Sequence, residues 1–271
     1  MKELTLEVTQ RCMNNCIYCS SNSHSFCDKQ LGIARIKSII DEAKELKFTN
    51  INLSGGEPFL HKNIVDICSY IKSKGLYLTI YSSGVYLNKN TKTVIPIDII
   101  NKCNPDTIIF NMQSSNNNNY KYIINSIHSN KLLFNSIKNC ISLGINTEIN
   151  FVPMSININD FHDIVKTCKM LGINKINILK LVIQGRSNKN LIPNKYDLDL
   201  LFEEIKQIKD VDIRIGDSFT SCDCNNCKAG IDKIVIRYDG QVLPCEKFKM
   251  ITNGINVNTY SLKECIYKLN K

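Results

Sequence analysis

Residues 12–19 read CMNNCIYC, three cysteines spaced by three and then two residues, directly after the short apolar run LTLEV at 4–8. A leucine- and β-branched run that gives way to a polar loop reads as a strand feeding a loop. The loop after a strand is where α/β folds gather their functional groups. Zinc sites usually arrange cysteines as C-x2-4-C pairs and use four protein ligands, whereas this trio meets no fourth cysteine until Cys27. Three thiolates on one loop can instead hold three irons of a cubane and leave the fourth iron open to a substrate or cofactor.

The alternation of strand and loop continues outward from this stretch. Strand patterns occupy 3–8, 50–53, 76–81, 107–112, 146–152 and 175–181, with helix patterns at 33–46, 63–74, 119–143 (broken near Ser129-Asn130) and 159–171. Gly75, Gly144 and Gly172 stand where helices should end, since glycine accepts the positive φ of a helix C-terminus. The run NNNN at 116–119 suits a loop better than a strand. Six βα repeats imply an α/β fold built on a parallel sheet, either a barrel, partial or full, or an open doubly wound sheet.

After QGRSNKN at 184–190 the rhythm changes. A helix at 197–209, a strand at 211–215, a cysteine cluster, a hairpin IVIRYDGQVL at 234–243 turning at Asp239-Gly240, and a helix at 261–269 follow. The expected organisation is therefore a first domain over 1–190 and a C-terminal extension over 191–271.

The 271 residues are enough to bury a sizeable core. No run approaches the ~20 apolar residues of a membrane span, and no signal peptide is evident at the N-terminus. A cytoplasmic protein is expected, with no membrane partner. Thirteen cysteines, an odd number, argue for metal or redox chemistry under reducing conditions rather than a disulfide scaffold. The net charge of +9 comes from scattered lysines, which reads as a solvated basic surface, and nucleic acid is not expected as a partner.

A second motif, LSGGEP at 53–58, follows the second strand. Two glycines allow close backbone approach, Glu57 offers a carboxylate to an ammonium group, and Pro58 stiffens the exit; an ordinary glycine turn is the plain alternative. With both motifs after successive strands, the chain resembles the radical SAM superfamily, which carries CxxxCxΦC after its first strand, with an aromatic at the position of Tyr18, and GGEP after its second. The likeness continues through SSG at 82–84 and LVIQGRS at 181–187. FNMQSS at 110–115 departs from the SLD-like segment common in relatives.

The resemblance implies a partial (β/α)6 TIM-like barrel in which Cys12, Cys16 and Cys19 ligate a [4Fe-4S] cluster and SAM supplies the fourth ligand. Gly55, Gly56 and Glu57, with Pro58 completing the motif, would hold the SAM amino group, and Tyr18 would pack near the adenine. Ser82, Ser83, Asn111, Gln113 and Asn150 are weaker SAM-binding candidates, each also readable as a plain polar residue at a strand end. It also implies reductive cleavage of SAM to a 5′-deoxyadenosyl radical that abstracts hydrogen from substrate, driven by a reducing donor such as flavodoxin or ferredoxin.

The segments SCDCNNCKAG at 221–230 and DGQVLPCEKF at 239–248 place Cys222, Cys224, Cys227 and Cys245 around the C-terminal hairpin. Spacing alone fits structural zinc as well as an iron–sulfur cluster. CxAG followed by DGxVxPC resembles the SPASM/twitch extension, which implies a small cysteine-rich module with a second, auxiliary [4Fe-4S] cluster, to which Cys265 could contribute. Cys27, Cys68, Cys103, Cys140 and Cys168 read as packing residues.

SPASM/twitch relatives imply a ribosomally made peptide undergoing crosslinking, epimerisation or oxidation, or else a small aminocyclitol or sugar undergoing dehydrogenation. A non-catalytic iron–sulfur or zinc binding protein is the remaining alternative, against which the intact GGEP argues. The chain opens directly on its first strand, without the fused N-terminal recognition domain of many peptide maturases, which weakens the peptide reading, although a separate protein can supply recognition. A molybdenum-cofactor cyclase is set aside because the chain ends YKLNK, without that enzyme's glycine-terminated tail.

Overall fold

A computed structural model describes residues 2–89, 91–219, 227–249 and 251–270. Six strands, β1 (Glu3–Thr9), β2 (Asn50–Gly55), β3 (Tyr77–Ser82), β6 (Thr107–Asn111), β7 (Asn146–Phe151) and β8 (Lys175–Ile178), pair in parallel in that order. β4 (Tyr86–Asn88) and β5 (Thr91–Thr93) form a separate antiparallel hairpin between β3 and β6. β9 (Asp212–Ile215) adds a parallel strand beside β8. β10 (Lys233–Ile236) joins the opposite edge parallel to β1 and carries β11 (Val242–Leu243) antiparallel to itself. β9 and β11 are the two edges of this nine-stranded sheet and do not pair with each other, so the sheet is the open, partial barrel expected.

The helices are α1 (Ile33–Glu45), α2 (Ile64–Ser73), α3 (Ile97–Cys103), α4 (Asn117–Ile124), α5 (Lys131–Ser142), α6 (Phe161–Leu171), α7 (Lys195–Gln207) and α8 (Leu262–Leu269). Neighbouring helices α1, α2, α3, α5 and α6 follow one another along one side of the sheet, and alternate strand residues Leu4, Leu6, Ile51, Leu53, Leu78, Ile80, Ile108, Phe110, Ile149, Phe151, Ile176 and Ile178 are buried in the same core. Each fully buried side chain of this kind contributes about 1.5–3 kcal/mol.

The register puts a different set on the other face: Thr5, Asn52 and Thr79 at one level, Glu7, Ser54, Tyr81 and Glu148 at the next. The inner layers of a parallel barrel are ordinarily filled with branched apolar residues. Here they carry Asn, Thr, Glu and Tyr, tied by bonds such as Asn177 Nδ2 to Glu148 Oε2 (3.0 Å) and Lys175 Nζ to Glu148 Oε1 (2.8 Å).

Two expectations are corrected. Asn117–Asn119 form the first turn of α4 rather than a loop, because Asn116 caps it, accepting from the Asn118 and Asn119 amides at 2.9 and 3.1 Å. The break expected near Ser129-Asn130 is present: α4 and α5 are separated by residues 125–130, and α4 ends on Asn125 in the left-handed region. The strand at 175–181 stops at Ile178. Gly172 does end α6 with φ +79°.

Candidate active site

The cysteine loop is tied at both flanks. On one side the Asn15 and Ile17 amides donate to the carbonyls of Ile124 and Ile123 at the end of α4 (3.0 and 2.9 Å). On the other, Arg186 clamps it: its backbone amide donates to Cys19 O (3.0 Å), Nε to Cys16 O (2.8 Å), and its two terminal nitrogens to Asn22 Oδ1 (3.1 Å) and Ser23 O (2.7 Å). The planar fork of Arg satisfies several fixed carbonyls at once, which a lysine cannot do. Gly185 makes this approach possible, since with φ +61° any Cβ there would collide with the Cys19 and Ser20 carbonyls. The residues of QGR, noticed in sequence only as a likeness, are thus structural partners of the cysteines.

Cys12 is buried, and Cys16 and Cys19 are half-buried. Burial first, then Cys16, Glu57 and Cys19, push the Cys12 thiol well above its usual range. Burial and then Cys19 lift Cys16 to about 12, although Arg186 pulls it down. The three sulfurs therefore lie close enough to repel one another as thiolates, and metal binding must displace their protons. Among the described residues no three His, Cys, Asp or Glu side chains converge on a position for one metal ion. Three thiols on one loop are a donor set for three corners of a cubane. A buried carbonyl oxygen without a partner, Asn14 Oδ1, lies within the same loop.

GGEP packs against the start of this loop. The Gly56 and Glu57 amides donate to the Thr9 and Arg11 carbonyls (2.7 and 2.8 Å). A Cβ on Gly55 would strike Thr9 O, and one on Gly56 would strike Arg11 O. The glycines are thus required by backbone meeting backbone. Glu57 is fully buried, and its carboxylate is turned to the end of β3. It accepts from Ser82 Oγ (2.9 Å), Ser83 N (2.7 Å), Ser83 Oγ (2.6 Å) and Phe59 N (3.4 Å). Burial lifts its pKa to about 7, against these hydrogen bonds. The carboxylate, read from sequence as facing an ammonium group, makes its bonds in the structure to Ser82 and Ser83, and Pro58 opens the short turn behind it.

The weaker candidates also meet. Tyr18 packs against Ile123, Val152, Met154 and Leu191 and hydrogen-bonds Gln113. Gln113 Oε1 accepts from Val152 N (2.8 Å) and its Nε2 donates to Asn150 O (3.4 Å). Asn111 and Asn150 are paired in register at the ends of β6 and β7.

At the C-terminal extension, Cys222 and Cys224 lie outside the described residues. Cys227 is exposed, and the half-buried Cys245 thiol is raised chiefly by burial, with Cys227 adding the smallest contribution. Cys265, on α8, is fully buried in the core, with Arg35 and Glu42 of α1 as neighbours. Cys68, Cys103, Cys140 and Cys168 are fully buried packing residues; Cys27 is half-buried.

One network escaped the sequence reading. Lys249 Nζ pairs with Glu7 Oε1 (2.6 Å), pairs with Glu246, and donates to Ser21 Oγ (3.1 Å). Ser21 in turn donates to Glu7 Oε1 (3.0 Å). A residue next to the cysteine loop is thereby joined to the neighbour of Cys245.

The sequence profile of the Radical SAM superfamily matches residues 6–168. The chain belongs to that superfamily. Among curated radical SAM proteins, it is 24% identical over 263 residues to the PqqA peptide cyclase of a Methylobacterium species, covering 92% of this chain and 67% of that protein. A probable GTP 3′,8-cyclase of Methanococcus aeolicus is 23% identical over 301 residues, covering 98% of this chain and 94% of that one. In fold, Streptococcus suis SuiB bound to the precursor peptide SuiA superposes with TM-score 0.80 at 16% identity, covering 98% of this chain and 64% of SuiB. anSMEcpe with bound AdoMet superposes with TM-score 0.70 at 15% identity, over 97% of this chain and 79% of that one. The protein is a radical SAM enzyme, and its family implies a [4Fe-4S] cluster that binds SAM. No helix among the described residues is long and apolar enough to cross a membrane.

Proposed function

We propose that this radical SAM enzyme modifies a ribosomally synthesised peptide by crosslinking, epimerisation or oxidation. When bound, a [4Fe-4S] cluster would supply the electron for reductive cleavage of SAM. Cys12, Cys16 and Cys19 would hold that cluster, with Arg186 fixing the loop's carbonyls. Gly55 and Gly56 would let the backbone reach SAM, Glu57 would position that turn through Ser82 and Ser83, and Tyr18 would pack near the adenine. Ser82, Ser83, Asn111, Gln113 and Asn150 would surround the SAM site.

Cys227 and Cys245, with Cys222 and Cys224, would form an auxiliary cluster site in a C-terminal twitch-like extension over 191–271. The polar inner face of the sheet, with Glu7, Ser54, Tyr81 and Glu148, would receive the substrate. A reducing carrier such as flavodoxin or ferredoxin and a separate peptide-recognition protein complete the expected partners.

The observation that most supports a peptide substrate is the alignment with a peptide cyclase over 92% of the chain, C-terminal extension included. A small-molecule substrate is the second reading, and the alignment to a GTP 3′,8-cyclase over 98% of the chain favours a nucleotide over an aminocyclitol or sugar.

The test is anaerobic reconstitution, reduction with dithionite in the presence of SAM, and quantification of 5′-deoxyadenosine with either a short peptide encoded beside the gene or GTP. Peptide-dependent stimulation with a mass change in the peptide is expected. Stimulation by GTP alone overturns the peptide reading, and SAM binding without any 5′-deoxyadenosine overturns the catalytic one.

A further inference from the structure

Behind the cysteine loop the fold gathers buried hydrogen-bond donors that have no acceptor. Tyr120 lies on α4, one turn before the Ile123 and Ile124 carbonyls that receive the Ile17 and Asn15 amides of the loop. It is buried, and its hydroxyl has no partner among the described residues. Burial first, then Cys16 and Cys12, raise the Tyr120 phenol, so two thiols of the loop lie within electrostatic reach of it. Its ring meets that of His128 edge-on, with centroids 6.3 Å apart.

A short chain of bonds continues from His128. Lys92 Nζ, on β5, donates to Ser126 Oγ at 2.8 Å, and Ser126 Oγ lies 2.6 Å from His128 Nδ1. An ammonium only donates, so the Ser126 hydroxyl is left to donate to Nδ1, and the proton of the neutral ring sits on Nε2. Burial first, then Lys92 and Lys121, hold His128 down at about 4, which keeps the ring neutral. His128 Nε2 is itself buried without a partner among the described residues. Lys92, lowered by burial, is raised in turn by Cys12 and Cys16.

Buried donors without acceptors are costly, and in a native fold they call for a partner that completes them. Tyr120 and His128 each present such a donor, and the half-buried Lys92 ammonium adds a positive charge beside them. The unpartnered acceptor in the loop, Asn14 Oδ1, bonds none of these groups. Asp160, an acid packed against α4, is taken up by Asn119 Nδ2 at 2.6 Å and by Ser114 Oγ. Cys12 and Cys16 are the groups that act on both Tyr120 and Lys92, and they become anionic when they hold metal.

We propose that Tyr120 and Lys92 raise the reduction potential of the cluster held by Cys12, Cys16 and Cys19, the hydroxyl by donating to a thiolate sulfur of Cys16 or Cys12 and the ammonium by its fixed charge. The proposal rests on the cluster reading above. Hydrogen bonds to the sulfurs and local charge set the potential of an iron–sulfur couple. The reduced state carries one more negative charge than the oxidised state, so both groups favour reduction. Neither residue gives or takes an atom or an electron; both are positioning residues that act through the cysteines.

The test is a potentiometric titration of reconstituted wild type, Tyr120→Phe, Lys92→Met and Lys92→Arg, poised with dithionite and redox mediators. The readout is the EPR signal that changes on adding SAM, which singles out the cluster of this loop. A hydrogen bond to a charged group is worth at least about tenfold in an equilibrium. Tyr120→Phe, at full iron content, should therefore make reduction about tenfold less favourable, a fall of about 59 mV for one electron. Lys92→Met should lower the potential in the same direction, and Lys92→Arg, which keeps the charge, should hold it at the wild-type value.

A wild-type potential in Tyr120→Phe overturns the proposal, since water then satisfies the hydroxyl. Equal falls in Lys92→Met and Lys92→Arg overturn the part played by the Lys92 charge, because packing of the hairpin is then what was lost. Loss of iron from Tyr120→Phe, with the potential of the remaining cluster unchanged, overturns it too and makes Tyr120 a support of the loop alone. Wild type that takes up no SAM-responsive iron overturns the cluster reading itself, a result that the comparison of loaded variants cannot produce.

Discussion

Gly56 shows how one missing Cβ can decide a site. Its amide bonds Thr9 O at 2.7 Å, and an added methyl group would run into the Arg11 carbonyl, which is backbone and cannot swing away. Gly56→Ala should therefore push GGEP off the cysteine loop, and iron bound after reconstitution should fall to near background while circular dichroism stays close to wild type. Full iron content would show that the loop tolerates the shift.

Glu57 makes a second prediction at this scale. Its folded-state pKa of about 7 lies above the ordinary 4.5, so the folded protein holds the proton more tightly than the unfolded chain. That contribution is fully present below about 4.5 and is lost as pH rises through 7. The stability difference between Glu57→Gln and wild type, followed by urea midpoint at several pH values in the unreconstituted protein, should shift in favour of the variant across this window. A difference independent of pH would mean that folding leaves the Glu57 carboxyl unshifted.

Among the elements, the connection after β8 does more than close a repeat. Arg186 holds the carbonyls of Cys16, Cys19 and Ser23 together with Asn22 Oδ1. Groups that orient metal ligands typically affect metal affinity or activity by 10- to 100-fold. Arg186→Lys, which keeps the charge but loses the fork, should release iron to a chelator about 10-fold faster than wild type; an unchanged rate would leave Arg186 a bystander.

The elements themselves were mostly legible. Period-2 and period-3.6 patterns located all six barrel strands and the longer helices between them, because one side of each must meet a shared apolar core. The polyasparagine stretch was misread because Asn is a poor interior helix residue yet a strong cap, and Asn116 supplies the cap. Hairpin β4–β5 and helix α3 were missed because their runs are only 3 and 7 residues long. Of the site, cysteine spacing and GGEP were legible because they are contiguous. Arg186, Glu7 and Lys249 act across long stretches of chain, and nothing local in the sequence marks such pairing.

At the scale of the whole molecule, the problem is to hold the two ends of the chain against one another. β10 pairs with β1, and Lys249 reaches Glu7 inside the sheet at 2.6 Å, with its own carbonyl accepting from Arg237 at 2.6 Å. Both members are buried, so the pair's net worth is small, but removing one partner strands a charge at a cost of about 3–5 kcal/mol. Glu7 is the more exposed to this loss, because its Oε2 already has no partner.

Lys249→Ala should therefore lower the urea midpoint sharply. Lys249→Met combined with Glu7→Gln, which removes both charges, should recover most of the loss. Equal destabilisation by the single and double variants would show that Lys249 contributes through packing alone. Recovery in the double variant would establish the ion pair as what couples the first strand to the segment carrying Cys245, and hence the cysteine loop to the C-terminal extension.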